Sequence, residues 1–315
     1  MGDLPPATWR LFITPTADGA TNMAVDEAVL HALADGLGQP TLRFYQWDPP
    51  CLSLGYNQPW AEVDEAACAR LGYTWVRRPT GGRAILHTDE LTYSVIVPVE
   101  DPRVAGGIVE SYRRLSTGLL AGLRNLGAEV FQAQMGAMAN PDQGAVCFDT
   151  PSHYEITVTG RKLVGSAQVR RRGVVLQHGT LPLRGDLGRI FGCLRAPEPS
   201  PAAPNAGLPR PGARHGFPPG QAGVPAGSLE SLQGQPALAP ALPAGRDWLL
   251  ERACTLEQAL GRPVSFGEAT RALADGFAAA LNMRLEPGEL TGYERSLAGR
   301  LREEQYASHN WNRRI

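Results

Sequence analysis

Cys147 and Lys162 are the residues whose types and spacing suggest chemistry. They stand fifteen positions apart in VCFDTPSHYEITVTGRKLVGSAQ, which runs from Val146 to Gln168. The cysteine comes just ahead of a turn-like Asp-Thr-Pro-Ser, and the lysine lies in a Gly-Arg-Lys turn. A free thiol has a pKa of about 8.5, so little thiolate exists at neutral pH, and an adjacent ammonium stabilises it. The lysine can then pass protons to a leaving group and from an attacking one. Taken alone, the two residues also fit a small apolar filler and a solvated turn lysine.

A second stretch, RRPTGGRAILHTDELTYSV from Arg77 to Val95, brings two arginines on a strand, a Gly-Gly turn and a histidine at the next strand's end. Glycines without Cβ expose N–H groups that can hold a substrate oxygen. Gly-Gly before a strand is also an ordinary turn. The stretch lacks the G-x-x-x-x-G-K-[ST] of a phosphate loop and the G-x-G-x-x-G of a dinucleotide site.

These residues need strands and turns to position them, and the pattern supplies both. WRLFI reads as a strand, and Thr21 or Asn22 caps a helix through MAVDEAVLHALADG that Gly36 ends. TLRFYQW and CLSLGY alternate as strands around Asp48-Pro49-Pro50, AEVDEAACARLG is a helix, and YTWVRRP, AILH and LTYSVIVPV are strands. A long helix covers GIVESYRRLSTGLLAGLRNLG. HYEITVTG, KLVGSAQVRRR and VVLQHGTLPLR form an antiparallel meander with turns at Thr159-Gly160 and Arg172-Gly173. From Arg246 the pattern is helical: RDWLLERACTLEQALG, then SFGEATRALADGFAAAL behind a Ser265–Glu268 capping box, then EPGELTGYERSLAGRLREEQYA and a tail, SHNWNRRI. The class is α+β, a mixed or antiparallel sheet with flanking helices. Residues 1–195 form a catalytic domain, and residues 246–315 a helical part that packs back on it. Between them, residues 196–245 hold twelve of the chain's 27 prolines and a single aromatic, Phe217. That composition cannot offset its ordering entropy, and the segment reads as a disordered insertion.

The chain has 315 residues, of which 43% are hydrophobic and 19% charged, enough for a sizeable core. A net charge of -1 argues against bulk nucleic-acid binding. No apolar run approaches a membrane span, and the first residues lack a signal-peptide pattern. The five cysteines show no C-x-x-C spacing, so a disulfide framework and a zinc site are not expected. The expectation is a cytoplasmic protein with free, mostly buried thiols and no metal.

Together, NMAVDEAVL, PTLRFYQWDPPCLSLGYNQ, RRPTGGRAILHTDELTYSV, CFDTPSHYEI, GRKLVGSAQ with QHGTLPL, and QYASHNWN resemble, in order, the lipoate/biotin protein ligase superfamily, and within it the LipM-type octanoyltransferases. The resemblance spans about Asn22 to Asn312. It implies the biotin/lipoyl ligase catalytic fold with added C-terminal helices. It implies transfer of an octanoyl group from acyl carrier protein to a lysine of a lipoyl domain, through a thioester on Cys147 with Lys162 as its partner. The acceptor would be glycine cleavage H protein or a 2-oxoacid dehydrogenase E2, and neither ATP nor another cofactor is expected. Arg78, Thr80, Gly81, Gly82, Arg83 and His87 would line the acyl pocket, their backbone holding the thioester oxygen. Gly165, Ser166, Ala167 and Gln168 would wall the acyl chain, and His178, Gly179 and Thr180 would complete the site. Arg161, Arg170, Arg171 and Arg172 would either dock acidic partners or form a solvated turn. The alternatives are an ATP-dependent lipoate-protein ligase and an amidotransferase between lipoyl domains. Such ligases carry a third glycine where this chain has Arg83 and Gly-Asn where it has DEL. The amidotransferase has its thiol elsewhere in the pattern, and a non-catalytic binder would not need both Cys147 and Lys162.

Overall fold

The computed structural model describes residues 4–132, 156–195 and 245–315. Residues 1–195 and 243–315 cluster as one compact unit, so the C-terminal part belongs to the catalytic body. Cys147 and nearly all of the proline-rich segment lie outside the described residues.

Eleven strands are described. They are β1 (Ala7–Ile13), β2 (Thr41–Tyr45), β3 (Cys51–Leu54), β4 (Thr74–Arg77), β5 (Ile85–His87), β6 (Glu90–Pro98), β7 (Phe131–Gln132), β8 (Ile156–Val158), β9 (Arg161–Arg171), β10 (Val174–Pro182) and β11 (Met283–Pro287). The helices are α1 (Gly19–Ala34), α2 (Glu65–Arg70), α3 (Ile108–Asn125), α4 (Gly245–Arg252), α5 (Leu256–Leu260), α6 (Phe266–Ala280), α7 (Gly292–Leu301) and α8 (His309–Asn312). Eight strands form one sheet in the order β11-β1-β2-β6-β10-β9-β8-β7, and β4-β3-β5 form a small second sheet. β1 runs parallel to both β2 and β11, whereas β2, β6, β10, β9, β8 and β7 are antiparallel in succession. The sheet is therefore mixed, with helices on its faces, as an α+β reading expects.

Alternation decides what each face carries. In β6, Leu91, Tyr93, Val95 and Val97 enter the core under α3 and α6. Thr92, Ser94 and Ile96 face the other way, toward α1. Leu115, Leu119 and Leu123 stand four residues apart on α3 and make its apolar stripe. Helix α6 comes so close that a Cβ on Gly276 would lie 2.2 Å from the Gly122 nitrogen. The β8–β9–β10 meander turns where the sequence places its turns. Thr159, Gly160, Arg172 and Gly173 all have positive φ, the conformation of a two-residue hairpin loop.

Four expectations need correction. The first helix begins three residues early, because the Asp18 carboxylate accepts from the Thr21 N–H at 2.7 Å and caps it. The helix expected over 61–72 is only α2, capped by Asp64. The helix expected over 246–261 breaks into α4 and α5, because Cys254 N–H donates to the Lys162 carbonyl at 2.9 Å and Thr255 then opens a new capping box. The third C-terminal helix starts only at Gly292, capped by Thr291, and ends in a π-turn over Arg302–Tyr306. The residues before it supply β11, which extends the sheet beside β1. Among the described residues, no helix is long and apolar enough to cross a membrane.

Candidate active site

A cleft opens between the small sheet and the α1 face of the long sheet. It holds about 350 Å³, counting the space at its mouth. One wall is Gly165, Ser166 and Ala167 of β9 with His178, Gly179 and Thr180 of β10. Opposite are Met23, Tyr45 and Trp47, with Ser53, Arg78, Ile85 and His87 from the small sheet. Gly179 gives the cleft only its backbone. A Cβ there would point to the other face of the sheet, 2.4 Å from Ser166 Oγ and 2.6 Å from the Tyr93 ring, the residues it pairs with.

Arg78, directly after β4, is almost wholly buried and organises the Gly-Gly loop. Its Nε donates to Thr80 Oγ1 at 3.2 Å, and its Nη1 to Ser53 O at 3.0 Å and Ser53 Oγ at 3.3 Å. Its Nη2 donates to the carbonyls of Gly81 at 2.7 Å and Arg83 at 2.8 Å. Those bonds occupy its five N–H groups. Gly81 and Gly82 are exposed at the tip of the turn, Gly82 with φ of 93°. Arg78 thus lines the cleft, while Gly81, Gly82 and Arg83 stand on the loop it gathers, outside the cleft wall.

Arg77 fastens the loop from behind. Its Nη1 donates to the carbonyls of Gly55, Tyr56 and Gln58, and its Nε and Nη2 to the Asn312 carbonyl. The Asn312 side chain accepts from the Arg77 N–H at 2.8 Å, and Trp311 Nε1 donates to the Arg77 carbonyl at 2.8 Å. The SHNWNRRI tail is therefore part of the platform under the site.

Two histidine chains converge on Arg78. In the first, His178 Nε2 lies 2.7 Å from Thr80 Oγ1, and its Nδ1 lies 3.4 Å from Asp26 Oδ2. Asp26 also takes bonds from Arg43 at 2.7 Å, Ser94 at 2.9 Å and Tyr45 at 3.0 Å. Burial pushes the Asp26 carboxyl up, but Arg43 and His178 outweigh it and hold the group below its ordinary value. Burial also lowers the His178 imidazole, against the pull of Asp26. The pair is therefore a carboxylate and a neutral imidazole, with Nδ1–H directed to Asp26 and Nε2 accepting from Thr80. In the second chain, His87 Nε2 lies 2.7 Å from Ser53 Oγ and its Nδ1 2.6 Å from Glu90 Oε1. Its ring stacks on Trp47, centroids 3.9 Å apart and planes within 11°.

Gln168 does not reach the cleft. It bonds Gln177 and Ser111, on the α3 side of the sheet, because its place in β9 alternates with that of Ala167. Lys162 is buried at the start of β9, three positions before Gly165. Arg170, Arg171 and Arg172 bond other groups of the chain, the carbonyls of Val104, Gly106 and Gly107, Glu27 and Asp35. The turn itself is solvated, with Arg172 and Gly173 exposed, and these contacts tie it to the rest of the chain. Cys51, Cys68, Cys193 and Cys254 are free and buried, and burial pushes the Cys51 thiol up to about 12. Those four are packing residues.

The family model of the lipoyl protein ligase A/B catalytic domain matches residues 18–210. Full-length likeness is more specific. Octanoyltransferase LipM of Kyrpidia tusciae is 43% identical over 98% of this chain and 99% of its own. The chain belongs to the LipM octanoyltransferase family. LipM of Bacillus subtilis is 35% identical over 97% of this chain and 98% of its own. Membership makes the chain an acyltransferase of the octanoyl-transfer class. Among solved structures, lipoate-protein ligase A bound with ATP superposes with a TM-score of 0.69 at 22% identity, over 97% of this chain and 98% of the other. A bipartite lipoate protein ligase of Thermoplasma acidophilum gives 0.69 and 22%, over 98% and 96%. Those two share the fold. Sequence reasoning missed Ser53 and Trp47, which line the cleft, and Asp26 and Glu90, which stand behind its two histidines. One signal was present: Glu90, Thr92 and Ser94 alternate with Leu91, Tyr93 and Val95, a polar row on a strand buried along nearly its whole length.

Proposed function

We propose that the chain takes an octanoyl group from acyl carrier protein onto Cys147 and passes it to a lysine of a lipoyl domain, without ATP. The observation that carries this reading is the cleft wall of Gly165 and Ala167, continuous along β9 with the buried Lys162, in a LipM-family chain. Small residues leave room for an extended alkyl chain, and aromatic and aliphatic groups opposite supply its apolar contacts. Lys162 stabilises the Cys147 thiolate, which attacks the donor thioester carbonyl; the donor thiol leaves with a proton. The acyl-enzyme keeps the thioester's free energy, so amide formation requires no nucleotide. The structural likeness to an ATP-bound ligase concerns the fold and does not favour adenylation here. The acceptor is a lipoyl-domain protein such as glycine cleavage H protein or an E2 subunit.

The test is direct. The protein incubated with octanoyl-acyl carrier protein, without ATP, gains an octanoyl adduct by intact mass, and Cys147→Ala does not. ATP-dependent use of free lipoate with no adduct would overturn the reading. Lys162→Ala lowers the rate of adduct formation by about 10²–10⁴-fold, a typical loss for a proton-transfer partner. Unchanged kinetics would remove Lys162 from the mechanism.

A further inference from the structure

The two histidine chains in the cleft are not equivalent, and the difference lies in their carboxylates. Asp26, Glu27, Glu90 and Glu294 are the buried ones among the described residues. Asp26, Glu27 and Glu294 each meet an arginine at 2.7 Å: Arg43, Arg171 and Arg10 respectively. Glu90 has no arginine or lysine partner among the described residues. His87 Nδ1 sits 2.6 Å from it, and the hydroxyls of Thr92 and Thr180 donate to it. Burying a carboxylate with no cation is costly. A proton arriving on His87 would complete an ion pair that the fold leaves open. His178 has no such use for a proton, because Arg43 already neutralises Asp26.

The hydrogen positions follow from the network. Arg78 Nη1 donates to Ser53 Oγ, so the Ser53 hydrogen is free to point at His87 Nε2, and Nδ1–H points at Glu90. Ser53 and His87 both face the cleft, and Trp47 stacking fixes the ring. Among the described residues, the charged and titratable groups around the ring are Glu90, Arg78 beyond Ser53, Cys51 opposite on β3, Tyr45 beside Trp47, and His178 with Asp26 behind it.

We propose that Ser53, His87 and Glu90 form the proton acceptor for the aminolysis step, with Ser53 Oγ meeting the incoming lysine nitrogen. The inference rests on the acyl-Cys147 reading given above. A lysine ammonium cannot attack while it holds all three protons. Ser53 passes its hydrogen to His87 Nε2 as it takes one from the ammonium. The amine then attacks the thioester carbonyl: the C–N bond forms, the C–S bond breaks, and a second N–H proton goes to the departing Cys147 sulfur. His87 returns its proton to water as the product leaves. Glu90 is a positioning residue, holding the His87 tautomer and offsetting the imidazolium charge.

The experiment separates the two half-reactions in the full-length protein. Acylation by octanoyl-acyl carrier protein is followed by intact mass. The acylated protein is then isolated and mixed with a lipoyl domain, and single-turnover transfer is timed from about pH 6.5 to 9.5. The readout is the ratio of the transfer rate to the same variant's acylation rate. For His87→Gln this ratio falls by ~10²–10⁴ near neutral pH. The deficit shrinks as pH rises toward the amine's ordinary value of about 10.4, because the free amine then needs no acceptor. Ser53→Ala, a smaller change, gives the same pH signature should His87→Gln fold poorly. Glu90→Gln, which keeps the shape, shows a smaller deficit of the same kind. An unchanged ratio, or a deficit that does not vary with pH, overturns the proposal. Failure of the wild-type protein to acylate overturns the Cys147 reading itself, which is a separate result.

Discussion

Gly179 shows how much of the sheet behind the cleft depends on one missing atom. The added Cβ of Gly179→Ala meets Ser166 Oγ at 2.4 Å, the Gly165 carbonyl at 2.6 Å and Tyr93 at 2.6 Å. Two of these neighbours are backbone or ring, so the strands must shift. Overpacking of this kind costs about 1–3 kcal/mol, and thermal unfolding should register it together with slower octanoyl transfer. His178 sets a second test. Its folded value is depressed below 6.5, so in the unfolded chain it takes up a proton that the folded chain refuses. Its contribution to stability is therefore complete above about pH 6.5 and falls on acidification until the folded imidazole titrates. The slope approaches about 1.4 kcal/mol per pH unit within that window. Melting curves of wild type and His178→Gln between about pH 7.5 and 5 should converge on acidification, and parallel curves would refute the assignment. The sequence named His87 and His178 but not what they hold. Glu90 follows His87 by three residues across a turn, a local spacing that could have been read, whereas Ser53 comes from a strand 34 residues away and nothing local announces it.

At the scale of elements, α8 matters more than its four residues suggest. Asn312→Ala removes the acceptor of a buried Arg77 N–H and should cost about 1–3 kcal/mol. Because Arg77 adjoins Arg78, the loss should appear in the transfer rate as well as in melting; a change in melting alone would detach the tail from the site. The β8–β10 meander was legible because Thr159-Gly160 and Arg172-Gly173 are hairpin chemistry whatever surrounds them. β11 was not, since MRLEP becomes a strand only by pairing with Ala7–Leu11, far away in the chain. The α4–α5 break was hidden for a like reason: the Lys162 carbonyl that captures Cys254 comes from another part of the sequence. The alternation of Ala167 and Gln168 was legible in principle, and a strict period of two would have sent Gln168 to the α3 side.

In the molecule as a whole, the motif order from Asn22 to Asn312 carried the family, and the proline-rich segment interrupts that order without supplying any of it. Gly245, the last residue of the segment and the first of α4, lies against Phe191, just before the segment, as its Cβ would come 3.1 Å from that ring. A short Gly-Ser linker in place of residues 197–242 should therefore leave the melting temperature and the transfer rate unchanged; loss of either would give the segment a role. The anchoring of Arg77 by Asn312 bears on how the protein is made. A ribosome completes the RRPTGG loop long before it reaches Asn312, 235 residues later. Throughout that interval the nascent loop lacks the carbonyl and side chain that fasten it. The loop thus gains its anchor only late in synthesis, and a chain stalled before Ser308 would carry Arg77 without the carbonyl and side chain that hold it.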